Sequence, residues 1–204
     1  MRYDYRDDFG LSGLAGQFRP DWSLGGSIHE VAATWASHDA EALLEDVVRL
    51  QQSSIPAWAV AAVWGAAAGP YSPEEGADWL DRLEAICLDR IRSSGGEFQV
   101  PETGPRSSEL TGAVLDEIGL ASQRLTDRLA GSRYGRGEGA ALALDLLARE
   151  VCPDLAFRML LRSLASFWVS IDQETFERYA ALGHALGYGG DLVEYIDYLI
   201  GHDQ

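Results

Sequence analysis

The tetrapeptide Ser27-Ile28-His29-Glu30 constrains this chain more than any other local feature, because it has the chemistry of a helix start. A Ser at the N-cap accepts from the amide three positions on. A Glu at that third position reaches back to the Ser amide, so two of the donors that a helix leaves open are paired together. Ile28, Val31, Ala32 and Trp35 then recur at i, i+3, i+4 and i+7, one apolar stripe at helical period. Such a stripe needs a partner, and the rest of the chain must supply it.

Similar signals recur along the sequence. Asp39 is placed to cap a second helix, with Leu43, Leu44, Val47, Val48 and Leu50 on its apolar side and Glu41, Glu45 and Asp46 toward water. Pro56 opens a third, in which Trp58, Val60, Val63 and Trp64 supply apolar bulk until Gly69-Pro70 stops it; it is expected to be the most buried helix. Ser72-Pro73-Glu74-Glu75 combines an N-cap, a Pro at the first helical position and a Glu at the third, the start expected for a fourth helix bearing Trp79, Leu80, Leu83, Ile86, Cys87 and Ile91. Residues 96–108 are rich in Gly, Pro and Ser without sustained period and read as a linker or long loop, with Phe98 and Val100 able to pin it.

Beyond that segment, Leu110, Val114, Ile118, Leu125 and Leu129 mark a helix expected to be interrupted near Gly119. Another runs from Ala140 to Val151 and stops at Cys152-Pro153. Asp154 is then placed to cap a helix apolar on nearly all sides, from Leu155 to Trp168, the expected centre of this half. Asp172 caps the next helix, with Ile171 stapling onto Phe176. A last helix from Asp191 would turn Leu192, Tyr195, Ile196, Leu199 and Ile200 inward and Glu194 and Asp197 outward. About nine helices and no alternating strand make the class all-α, a multi-helix bundle or stacked helical hairpins. Two helical domains are expected, 1–95 and 109–204, the second packed on the first.

The 204 residues are 47% apolar and include six Trp, ample for a packed core. The formal charge is −16, and all 16 basic residues are Arg, with no Lys. Residues 1–106 hold 17 acidic groups against 8 Arg, so the excess is not confined to one tail. A nucleic-acid binder needs a basic face, which this composition disfavours, as it does an anionic membrane surface. The acidity serves solubility, or it marks a surface for a basic partner. The most apolar run, Ala57 to Gly69, falls short of the roughly 20 residues that span a bilayer. The opening MRYDYRDDFG has no apolar core of a secretion signal, so a cytoplasmic location is expected.

Chemistry-bearing patterns are sparse. His29, His38, His184 and His202 share no ligand spacing, and Ala33 stands where the second His of an HExxH pair would be. Ser132 to Gly139, SRYGRGEG, lacks the preceding strand and the Lys of a phosphate loop. Cys87 and Cys152 sit among apolar neighbours and read as buried thiols, and no Ser lies in G-x-S-x-G. Catalytic residues, a metal site and a cofactor are therefore not expected.

Phe18, then Asp21-Trp22, a turn through Gly25-Gly26 and the amphipathic helix from Ile28 form a pattern that resembles the opening of the bacterial contact-dependent growth inhibition immunity proteins. The likeness extends through Gly69, Tyr71, Pro73 and the Trp79-Leu80 pair, roughly the first 95 residues, and departs from the family at Arg19 and Pro20. Its motif positions here are Phe18, Asp21, Trp22, Ser27, Glu30, Ser72, Pro73 and Trp79, all structural. The resemblance implies a small helical domain that binds and occludes a cognate toxin. Charge favours a basic toxin, such as a nuclease, and the carboxylates offered for steering it are Glu74, Glu75 and Asp78 at one helix start and Asp191, Glu194 and Asp197 on the last helix. An acidic nucleic-acid mimic or a helical regulator of another protein is the alternative.

Overall fold

The computed structural model describes residues 8–18, 27–69, 78–99, 107–130, 139–188 and 191–201. Asp21, Trp22, Ser72, Pro73, Glu74 and Glu75 lie outside the described residues, as does most of the 96–108 segment. The fold is all-α, a multi-helix bundle. Its helices are α1 (Gly10–Ala15), α2 (Ile28–Gln52), α3 (Ala57–Ala68), α4 (Trp79–Ser93), α5 (Ser108–Ala130), α6 (Ala140–Glu150), α7 (Pro153–Ser166), α8 (Gln173–Ala185) and α9 (Asp191–Glu194), followed by a 3-10 turn at Asp197–Leu199.

The capping box forms as its residue types dictate. The Ser27 amide donates to the Glu30 carboxylate at 2.7 Å, and the Glu30 amide donates to the Ser27 hydroxyl at 3.3 Å. α2 spans Ile28–Gln52 but breaks at Asp39, whose φ of −143° and ψ of 38° leave the helical region, so two helical segments meet there across a kink. The second segment starts at Asp39 as expected, and the Asp39 carboxylate accepts from the Gly10 amide of α1. α2 lies along α4 and also carries α1, so it is covered from more than one side.

α3 crosses from the first half of the chain to the second, packing on α6 and α7, and α1 also touches α7. Apolar side chains of both halves consequently form one continuous core. Trp64 of α3 is fully buried there, with the Phe18 ring edge-on at 5.8 Å and the Trp79 ring at 5.0 Å. Two separated positions of the opening motif thus meet on one indole. Trp58, one turn and a half earlier, is 49% exposed, so α3 is not buried all round.

Several boundaries differ from those expected. Gly119 sits inside an unbroken α5, because a single Gly costs only about 1 kcal/mol against Ala and packing of Val114, Ile118, Ala121 and Leu125 outweighs it. α4 opens at Trp79, with Asp78 at the N-cap position. The N-cap of α7 is Cys152, whose thiol accepts from the Leu155 amide at 3.5 Å, with Pro153 in the first position; Asp154 is left for other work. The last helix is only one turn, followed by a 3-10 turn at Asp197–Leu199 before the chain becomes extended at Ile200 and pairs with Ile171. The Ile171 amide donates to Leu199 O at 3.1 Å, and the Gly201 amide to Ile171 O at 3.2 Å. Asp172 caps α8 as expected, accepting from the Thr175 amide at 2.7 Å.

Ser27→Ala should lower stability by about 1 kcal/mol through loss of the box acceptor, while Ser27→Asn should retain most of it, both read as shifts of the denaturant midpoint. The Thr175 hydroxyl and amide hold the Asp172 carboxyl below its ordinary range. A depressed carboxylate adds stability above its unfolded pKa and loses it as pH falls through the folded one. The stability difference between the wild type and Asp172→Asn should accordingly be constant at neutral pH and close below about pH 4; a difference that persists unchanged to pH 2 would show that the charge plays no part.

Candidate functional site

The strongest polar chemistry in the molecule lies inside it. Asp154, Arg158 and Arg162 follow at i, i+4 and i+8 on α7, so three charges share one side of a helix that is otherwise buried. The Arg158 guanidinium, on a residue 1% exposed, donates to Asp46 Oδ1 at 2.8 Å and Oδ2 at 3.0 Å, to Asp154 at 3.0 Å, and to the Phe9 carbonyl and Ser12 hydroxyl at 3.0 Å each. It also stacks over the Phe9 ring at 4.3 Å. Arg162 pairs with Asp8 at 2.6 Å and lies over the Tyr195 ring at 4.4 Å.

Glu45 and Asp46, expected on the solvent side of α2, are 5% and 1% exposed. They face inward because α1 and α4 pack on α2; Arg158 of α7 reaches Asp46, while Glu45 is met by Arg49 of α2 itself. Glu45 pairs with Arg49, one turn on, and Arg49 points its other terminal nitrogen toward the Cys152 sulfur at 3.8 Å. The sequence signal for this network was the polar stripe on α7: charges at i, i+4 and i+8 of a helix with no free face require buried partners. Gly10 makes the close approach feasible. Its φ of +58° suits glycine, and a Cβ there would run into the Asp46 carboxylate.

A cavity of about 100 Å³ opens beside the network, walled by Phe9, Ala42, Leu110, Pro153, Leu186 and Tyr188 and floored by Glu45, Asp46, Arg49, Cys152, Asp154 and Arg158. Its titratable groups answer one another. Burial pushes the Asp46 carboxyl up, against the pull of Arg158. Burial also acts on Asp154, but Arg158 and the Tyr188 hydroxyl, which donates to it, outweigh that and hold it low. Burial and then Asp154 push the Cys152 thiol up to about 12, so it stays protonated and unreactive at neutral pH. Carboxylates, guanidiniums and phenol are engaged mutually, the arrangement of a structural junction that ties α1, α2, α7 and the turn after α8 together.

The carboxylates proposed for steering lie elsewhere. Asp78 forms an exposed ion pair with Arg82 at 2.8 Å. Glu194 and Asp197 are exposed, and Asp191 begins α9. Tyr198, which follows Asp197 in the chain, meets a residue assigned by the sequence pattern to the apolar side of α7. Trp168 is 65% exposed, with φ of +52°, and its ring meets that of Tyr198 edge to face at 5.1 Å. The periodicity of α7 could not place it, because the helix ends at Ser166 and the indole projects from the turn that follows.

Among the described residues, no group of three or more His, Cys, Asp or Glu is arranged to hold a metal ion, and no helix is long and apolar enough to cross a membrane. No protein-family model matches the chain, and neither the curated proteins nor the solved structures provided a significant match.

Removing one member of the junction should be far worse than removing two. Arg158→Met leaves Asp46 buried without its cation and should cost about 3–5 kcal/mol, while adding Asp46→Leu should recover a large part of that loss. Urea denaturation of the two single variants and the double variant measures the coupling; additive losses would deny the pairing its central role.

Proposed function

We propose that this chain is an immunity-type binding protein that neutralises a basic bacterial toxin by covering it. The observation that supports this best is the way charge divides between inside and surface. Among the described residues the buried acids Asp8, Glu45, Asp46 and Glu117 are paired with Arg162, Arg49, Arg158 and Arg178, and Asp39 accepts from the Gly10 amide, so the unpaired carboxylates there fall mostly on the surface. A lysine-free surface of that sign attracts a basic partner from a distance and repels nucleic acid. The resemblance carried by Phe18, Asp21, Trp22 and the helix from Ile28 supports the same reading, and the packing of Phe18 and Trp79 on Trp64 suits motif positions whose role is structural.

Mechanistically, surface carboxylates speed encounter, and a few desolvated anchors then hold the complex so that the toxin's substrate face is blocked. Such a mechanism requires no catalytic group on this chain.

The test is binding of the purified protein to the product of the gene immediately upstream of its own. Association should slow steeply as salt rises and the Debye length falls from about 30 to 8 Å, with dissociation changing far less. Glu194→Arg combined with Asp197→Arg should slow association about tenfold at low salt, which is roughly 1.4 kcal/mol in the barrier. If the upstream product does not bind, the immunity reading fails; if it binds with salt-independent association, electrostatic steering fails.

A further inference from the structure

We propose that Trp168 and Tyr198, the latter on a segment that also carries the exposed Glu194 and Asp197, form a preorganised dock for an arginine- or lysine-bearing segment of a basic protein partner. The inference deepens the proposed function and rests on it for the partner's identity, but its geometry stands alone.

The backbone makes the first argument. α7 closes in a Schellman turn, in which the Val169 amide donates to Leu164 O at 2.9 Å and the Trp168 amide to Ala165 O at 3.3 Å. That turn puts Trp168 in the left-handed region, where a side chain is disfavoured and Gly is the usual occupant. Among the described residues, every other left-handed position, from Gly10 to Gly201, is a glycine. Here alone a tryptophan takes the strained place.

Burial does not compensate. Trp168 is 65% exposed, whereas the neighbouring Val169 is 2% exposed. The free protein thus bears both backbone strain and a wetted indole, and strain of this kind clusters at functional positions.

The pair is also held in place. The Tyr198 hydroxyl donates to Ala165 O at 3.3 Å, and its ring is inclined 66° to the indole. The Ile171–Ile200 bridge fastens the segment bearing Tyr198 to the one leaving α7. Two aromatic surfaces, one of them on the segment that carries the exposed Glu194 and Asp197, fit a cation: a guanidinium stacks on a ring within about 6 Å, and the negative charge of that segment favours it. The molecule makes this stack twice internally, Arg158 over Phe9 and Arg162 over Tyr195. Of the local cations, Arg124 is bonded to the Ser170 carbonyl at 3.1 Å, and Arg162, paired with Asp8, also interacts electrostatically with Tyr198. A second copy of this chain is the wrong occupant, since two molecules of charge −16 repel.

The probe is a peptide of four Gly-Arg repeats, with a matched Gly-citrulline peptide as the neutral control. Each is titrated into the full chain while the indole N–H resonance of Trp168, assigned by its loss in Trp168→Gly, is followed by NMR. The arginine peptide should shift that resonance saturably, at least about tenfold more tightly than the citrulline peptide, and more weakly at high salt. Trp168→Gly should leave the thermal midpoint unchanged or raised, because the turn gains its favoured residue, yet weaken the upstream-encoded toxin at least about tenfold. Equal binding of the two peptides, or no saturable shift, overturns the proposal, as does a dimer that Trp168→Gly dissolves. If the toxin binds wild type and Trp168→Gly equally, the dock is wrong and the immunity reading survives. If the arginine peptide binds at Trp168 and the toxin does not bind at all, the immunity reading is wrong and the dock survives.

Discussion

A guanidinium buried among helices is the constraint on which the rest of this structure depends. Taking Arg158 and its carboxylates out of water costs several kcal/mol per ion, and only close, multiple contacts offset that. Arg158 meets Asp46 from α2, Asp154 one turn back on α7, and the Phe9 carbonyl and Ser12 hydroxyl at α1. The backbone of α1 must therefore lie directly against α2, which is why Gly10 occurs there and why Leu11 can donate its amide to Asp46 at 2.9 Å. Tyr188, bonded to Asp154, adds the turn after α8 to the same point.

Around this point the apolar packing divides into two seams. α2 and α4 close one, through residues such as Leu83 and Cys87 that are fully buried. The other joins α3 to α6 and α7, with Trp64 between Phe18 and Trp79. Because both seams share α2, α1 or α7 with the ionic junction, the two halves of the sequence pack as one core. Trp64 and Trp168 show what position does to one residue type. The first lies mid-helix and disappears into the core. The second stands one residue past a helix cap, where the turn aims it at solvent.

The pairing inside the molecule also shapes its outside. Arginines used on Asp8, Glu45 and Asp46 are not left to neutralise surface acids. Among the described residues, the exterior presents many carboxylates and a few exposed aromatics.

Local chemistry was legible in the chain before any fold was known. Ser27 with Glu30, Asp172 ahead of Thr175, Gly69 after α3 and the 3.6-residue stripes are decided within four or so residues, so the helical class and many helix ends follow from sequence alone. Which side of a helix meets water is different, because it depends on what else packs there. α2 has α1 and α4 against it, so Glu45 and Asp46 are interior although their spacing suits a solvated face. Gly119 stays helical because neighbouring contacts override a local preference. The stripe from Leu192 to Ile200 does not continue as one helix: Ile200 leaves it to bridge Ile171, a partner 29 positions away. Sequence by itself determined where helices could start, stop and bury a stripe. Only tertiary structure decided which charges went inside and which tryptophan stayed out, since burial and ion pairing are properties of neighbours far apart in the chain.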